Sequence, residues 1–144
     1  MSHPSVLHPA ARQRVVQLLQ MHDIVPTQQR VEIAQWLFAR PQHLSAEQLM
    51  GMVGEAGCRV SKATIYNTLG LFAGRGLVRE LIVDPDRIFY DTTTREHHHF
   101  YNVDTGELTD IPDDELLIGR LPGMPEGAEC EGVQVIIRIR NKRQ

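Results

Sequence analysis

Cysteine is almost missing from this chain of 144 residues: Cys58 and Cys130 are the only two, far apart, and no CxxC pair occurs. Neither a disulfide framework nor a thiolate zinc site is indicated, and both cysteines read as packing residues. Long apolar runs are missing too, since nothing approaches the roughly 20 residues that span a bilayer. The start, MSHPSVLHPAARQR, lacks the apolar stretch of a secretory signal. The expectation is a cytoplasmic protein with no membrane association. A strong basic balance is absent as well, the net charge being −3 at pH 7, and no internal repeat or low-complexity tract occurs.

The charge that is present is unevenly placed. Residues 1–83 hold eight Lys/Arg against five Asp/Glu, giving +3, and the remainder holds seven against thirteen, giving −6. A modestly basic front joined to an acidic, histidine-bearing back suggests one part that faces a polyanion and one that binds cations.

Apolar residues Val15, Leu18 and Leu19 recur at helical spacing between Ala10 and His22, and Pro26 closes the following connection. Thr27 reads as the N-cap of a second helix with Val31, Ala34, Leu37 and Phe38 inward, ended by Arg40 and Pro41. Ser45 and Gln48 read as a capping box for a third, with Leu49, Met52, Val53 and Ala56 inward and Gly57 stopping it. Ser61 caps a fourth, buried along Ile65, Leu69, Phe72 and Ala73. The period then changes: LVRELIV and RIFYD, separated by Asp84, Pro85 and Asp86, read as a β-hairpin.

Helices followed directly by such a hairpin have the layout of a winged helix-turn-helix, with Ser61 to Arg75 in the recognition-helix position. Lys62, Thr64, Tyr66 and Asn67 are its candidate DNA contacts, with Arg30 from the second helix. The second half offers HHHFYNV, a turn at Asp104 to Gly106, ELTDIP, weak helix signals over Asp113 to Leu121, and a β-prone VQVIIRIR. The fold class is therefore α+β. Residues 1–90 form an N-terminal winged-helix DNA-binding domain, and residues 91–144 a small C-terminal α/β domain for dimerisation and metal sensing. The latter is too small to bury its faces alone, so pairing as a homodimer is expected.

Three of the seven histidines are consecutive. On a strand the period of two sends His97 and His99 to one face and His98 to the other. One register of the following hairpin sets Asp110 across from His99 and another sets Ile111 there. Asp91 lies close enough in sequence to add an oxygen. Imidazoles plus carboxylates without thiolate suit Fe²⁺ first, then Mn²⁺, with Zn²⁺ possible in vitro. Glu96 and His98 form a weaker candidate for a second metal site.

The segments PTQQRVEIAQWL, RPQHLSAEQL and VSKATIYNTLGLFAGRGLVREL resemble, in order and wording, the DNA-binding domain of the ferric uptake regulator family. The resemblance implies a metal-dependent transcriptional repressor that binds a palindromic operator in double-stranded DNA as a homodimer. It adds His43 to the regulatory site, reaching across the hinge to Asp91, His97, His99 and Asp110, and so selects the Asp110 register. The spacing of these residues resembles the peroxide-sensing (PerR) pattern. Asn102 and Thr105 stand where many members have their first CxxC, and no second CxxC follows, so the family's structural zinc, held by cysteines alone, is not carried over. EHHHFY, ELTDIP and VIIRIR look closest to the iron response regulators (Irr), but the Cys-Pro haem motif of some of these is missing, and haem is not the expected ligand. The competing classes are a small HxH non-haem iron enzyme and a metal-scavenging protein. An enzyme of that kind would need a barrel of strands around its metal, and a scavenger would leave the Ser61 to Arg75 helix without a purpose.

Overall fold

The computed structural model describes residues 8–143, so the first seven residues of the polar start lie outside the described residues. The chain packs as two units that divide between Thr94 and Arg95, a few residues beyond the 90/91 boundary read from the sequence, which leaves Asp91 with the first unit.

The first unit contains α1 (Arg12–Met21), α2 (Gln28–Leu37), β1 (His43–Ser45), α3 (Ala46–Glu55), α4 (Lys62–Gly74), β2 (Arg79–Asp84) and β3 (Arg87–Asp91). Local chemistry sets the helix starts. Thr27 accepts from the Arg30 N–H at 3.4 Å, Ser61 from the Thr64 N–H at 3.1 Å, and Ser45 and Gln48 exchange both bonds of a capping box at 2.9 and 3.2 Å. Each such cap is worth about 1 kcal/mol. Gly57, at φ +82°, takes the left-handed conformation that ends α3. The inward stripes meet in one core in which Leu19, Val31, Leu37, Leu49, Ile65 and Phe72 are all fully buried. Ile33, on another face of α2, is buried with them, so α2 is covered on two sides, whereas Ala56, expected inward, is exposed at the end of α3. Four helices followed by the β2–β3 hairpin make the winged-helix layout.

The strand β1 has no counterpart in the sequence reading. It pairs antiparallel with β3, giving a sheet in the order β1-β3-β2. Three residues are too few for alternation to be visible, and this strand exists because β3 offers it an edge. Gln42 fastens the start of β1. Its side-chain amide donates to the Trp36 and Leu37 carbonyls at the end of α2, at 3.0 and 2.8 Å, and its backbone exchanges hydrogen bonds with Thr92 just past β3. Gln42→Ala removes the side-chain donor from both carbonyls, the Trp36 carbonyl keeping only the Ala39 N–H at 3.4 Å, so a loss of about 1–3 kcal/mol is expected. Urea denaturation of the variant against the parent chain checks it.

The second unit contains β4 (His98–Asn102), β5 (Leu108–Ile111) and β6 (Ile136–Ile139), in the order β5-β4-β6, with β4 antiparallel to β5 and parallel to β6. Gly106, at φ +74°, turns the β4–β5 hairpin. The helix expected over 113–121 does not form. Pro112 to Glu115 make a single turn, closed by the Glu115 N–H on the Pro112 carbonyl at 2.9 Å, and the chain then runs without regular structure. Leu116, Leu117 and Ile118 are consecutive and present no single apolar face, and Leu117 is 86% exposed. A short helix without a buried face is not stable in water. Edge strand β6 leaves Ile137 and Ile139 more than a third exposed.

Candidate functional site

The chemistry of the second unit centres on β4. His97 precedes this strand and His99 lies within it, and the pleat sends both side chains to the same inner face as Tyr101. His99 is directly opposite Asp110 on β5, the register that the hairpin alone left open against Ile111. The two imidazoles are 3% and 0% exposed, with ring centroids 4.4 Å apart. His97 Nε2 is 3.6 Å and His99 Nε2 3.2 Å from the same oxygen, Asp110 Oδ1, and that carboxylate is more than half exposed.

Three potential ligand atoms therefore converge, two of them in a water-poor setting. The tautomer of His97 follows from its other nitrogen. Nδ1 is 2.8 Å from the Arg95 carbonyl, a group that only accepts, so Nδ1 carries a proton. In the neutral ring Nε2 then presents a lone pair towards a carboxylate oxygen. Two electron-rich atoms face each other comfortably only with positive charge between them or on the ring. A divalent cation would supply that charge, and a carbonyl-bound Nδ1–H is the usual support for a metal-ligating imidazole. The donor set thus fits a borderline-to-hard ion such as Fe²⁺ or Mn²⁺.

The first unit holds the remaining two residues of the expected site, brought together by the unforeseen strand. His43 on β1 is the direct cross-strand partner of Asp91 on β3. Asp91 is 2% exposed, and its Oδ1 accepts from the Thr93 N–H at 2.9 Å. His43 meets the Phe89 ring edge-on at 6.4 Å between centroids. Of the five residues, His43 and Asp91 belong to the first unit and His97, His99 and Asp110 to the second.

The weaker pair behaves differently. Glu96 Oε1 accepts from the Val133 N–H at 3.1 Å and His98 Nδ1 from the Val135 N–H at 3.0 Å. Both side chains hold the segment leading into β6. An Nδ1 that accepts leaves the proton of the neutral ring on Nε2, so His98 offers no lone pair to an ion in this state. A Cβ at Gly132 would meet only the flexible end of the Glu96 side chain, which can turn aside.

On α4 the DNA-contact candidates divide into two groups. Arg30, Thr64 and Asn67 line a cleft of about 390 Å³ with Thr27 and Gln29. Arg30 is anchored there by an Nη1 donation to the Val25 carbonyl at 3.0 Å, and the Thr64 hydroxyl shares the capping interaction of Ser61 at 2.9 Å. Lys62 and Tyr66 form the second group, the ammonium lying 5.8 Å from the ring centroid. Sequence reasoning missed a participant here: the Tyr66 hydroxyl donates to the Glu47 carboxylate in the first turn of α3. That bond holds the Glu47 carboxyl below the usual carboxylate range and pushes the Tyr66 phenol up. A depressed carboxyl favours the fold above its unfolded pKa, and this contribution disappears as pH falls through the folded pKa, so the tether is intact at neutral pH. Nothing local signals the pair, whose members are 19 residues apart.

Among the described residues no helix is long and apolar enough to cross a membrane. The model of the ferric uptake regulator family matches residues 12–133 of the chain. The chain is similar to the ferric uptake regulation protein of Synechococcus elongatus, 34% identical over 116 residues that cover 77% of this chain and 79% of that protein. It is also similar to the peroxide-responsive repressor PerR of Staphylococcus epidermidis, 30% identical over 59% of this chain and 57% of that one. Among solved structures it resembles the ferric uptake regulator of Pseudomonas aeruginosa determined with manganese, with a TM-score of 0.68 and 28% identity over 88% of this chain and 97% of that one. Regulators of this kind bind DNA, are dimeric and respond to metal ions; they are not enzymes, which sets aside the HxH iron enzyme considered above. The chain belongs to the ferric uptake regulator family and is a metal-responsive, DNA-binding transcriptional regulator.

Proposed function

We propose that this protein is a cytoplasmic repressor in which His43, Asp91, His97, His99 and Asp110 together hold one Fe²⁺ or Mn²⁺ ion. The observation that carries the proposal is the convergence of two buried imidazoles on one carboxylate in the second unit, with a third imidazole and a second carboxylate opposed on the β1–β3 ladder of the first. Closed on a common cation, the five side chains would tie the DNA-reading unit to the dimerisation unit. Two α4 helices of a homodimer would then be set about one DNA turn apart, the spacing a palindromic operator requires. An equilibrium that moves from mostly open to mostly closed needs about 5.5 kcal/mol of differential binding, within reach of a polydentate site. Edge strand β6, with Ile137 and Ile139 partly exposed, supports pairing of second copies through this unit.

Bound Fe²⁺ would supply the electron that reduces peroxide beside the ligands. The side chains then at risk are the imidazoles of His43 and His97, whose oxidation would release the repressor from DNA. The similarity to a peroxide-responsive repressor supports this reading. Gel shifts on the protein's own promoter region, with apo, Fe²⁺, Mn²⁺ and Zn²⁺ forms before and after peroxide, test the function. Metal-dependent retardation is expected, lost after peroxide only in the iron form. Mass spectrometry should find one added oxygen on a peptide carrying His43 or His97, and Mn²⁺ should protect it. An unmodified chain would remove the peroxide branch and leave iron itself as the signal.

A further inference from the structure

The contact between Glu47 and Tyr66 puts a carboxylate where a DNA-reading surface is expected to be basic. Tyr66 is 39% exposed on α4, with the Lys62 ammonium over its ring and its hydroxyl proton given to Glu47. Glu47 is itself exposed at the start of α3 and also feels the positive charges of Lys62 and Arg87. Two consequences follow from this arrangement. A phenol whose O–H is already committed has only lone pairs left to offer, so it can accept from adenine N6 or cytosine N4 but cannot donate to guanine N7 or O6 or to thymine O4. A carboxylate beside the reading helix also repels phosphates on every duplex alike.

We infer that Glu47 is a specificity-determining residue: it fixes Tyr66 as a hydrogen-bond acceptor towards base edges while weakening binding that rests on phosphates alone. The inference rests on the proposed operator binding by α4 and deepens it. Glu47 acts through Tyr66 and is a positioning residue. Its two effects separate chemically, because Glu47→Gln removes the charge but keeps an acceptor for the hydroxyl, whereas Glu47→Ala removes both.

The test is selection of duplexes from a random-sequence library by full-length, Mn²⁺-loaded protein, followed by affinity measurements on the recovered consensus and on an unrelated duplex. Wild type should enrich a two-fold symmetric consensus. Glu47→Gln should bind all duplexes more tightly by a common factor and keep that consensus. Glu47→Ala should lose base preference at one position in each half-site, with the ratio of consensus to unrelated affinity falling about 5- to 10-fold. Tyr66→Phe should change the same position, and the double variant Glu47→Ala, Tyr66→Phe should be no less selective than the worse of the two single variants. If Glu47→Ala keeps the wild-type consensus and behaves as Glu47→Gln does, the inference is wrong while operator binding stands. If wild type enriches no sequence at all, the operator reading fails, and this inference falls with it.

Discussion

In a His99→Ala protein, Mn²⁺ is expected to bind at least about 100-fold more weakly, and DNA affinity in saturating metal for the parent chain is expected to equal that of the apo form. Loss of an outer partner of a metal ligand already costs about 10- to 100-fold, and His99 is better placed than any such partner. Its ring is fully buried, Nε2 lies 3.2 Å from Asp110 Oδ1, and β4 fixes it between β5 and β6. Water entering the space left by alanine replaces a nitrogen donor with a weaker, unfixed one. The neighbouring substitution His98→Ala supplies the contrast. His98 accepts from the Val135 N–H, so its loss should cost about 1 kcal/mol of β6 attachment and leave Mn²⁺ affinity within a few-fold. Isothermal titration of both variants measures the difference, and equal losses in the two would show that the effect comes from disruption of the sheet.

His43→Ala is expected to separate metal binding from DNA binding. The second unit keeps His97, His99 and Asp110 in their converging arrangement, so Mn²⁺ should still bind, about 10- to 100-fold more weakly by analogy with other lost ligand supports. The variant loses the imidazole on the β1–β3 ladder opposite Asp91, and with it one ligand of the proposed tie. An ion that binds both arrangements equally shifts no equilibrium. At metal concentrations high enough to fill the weakened site, the rise in DNA affinity seen with the parent chain should therefore shrink to a small fraction. Fluorescence anisotropy on the selected duplex, with and without Mn²⁺ at saturation, reads this directly. Full retention of the metal effect would mean that His43 takes no part in coupling.

What the sequence disclosed and what it hid follow from the range of the interactions concerned. Caps are local, and Thr27, Ser45 with Gln48, and Ser61 could be identified from three-residue spacings that the helices then use. The β2–β3 hairpin announced itself through Asp84 to Asp86 between two β-prone runs. The pairing of His99 with Asp110 was half legible: alternation put the imidazoles together, but a one-residue slip would have exchanged Asp110 for Ile111, and only the family resemblance chose between them. Strand β1 and the Gln42 clamp depend on an edge supplied almost fifty residues later, and the Glu47–Tyr66 tether joins two helices. No periodicity in a single segment records such contacts. The expected helix over 113–121 failed for the opposite reason, because local propensity was present and a partner for its apolar side chains was not.

The proposed bridging ion can be sought by anomalous scattering from crystals of the Mn²⁺-loaded protein. One manganese peak per chain is expected, with His43, Asp91, His97, His99 and Asp110 all in its coordination sphere. A peak held by His97, His99 and Asp110 alone, with His43 and Asp91 elsewhere, would contradict it.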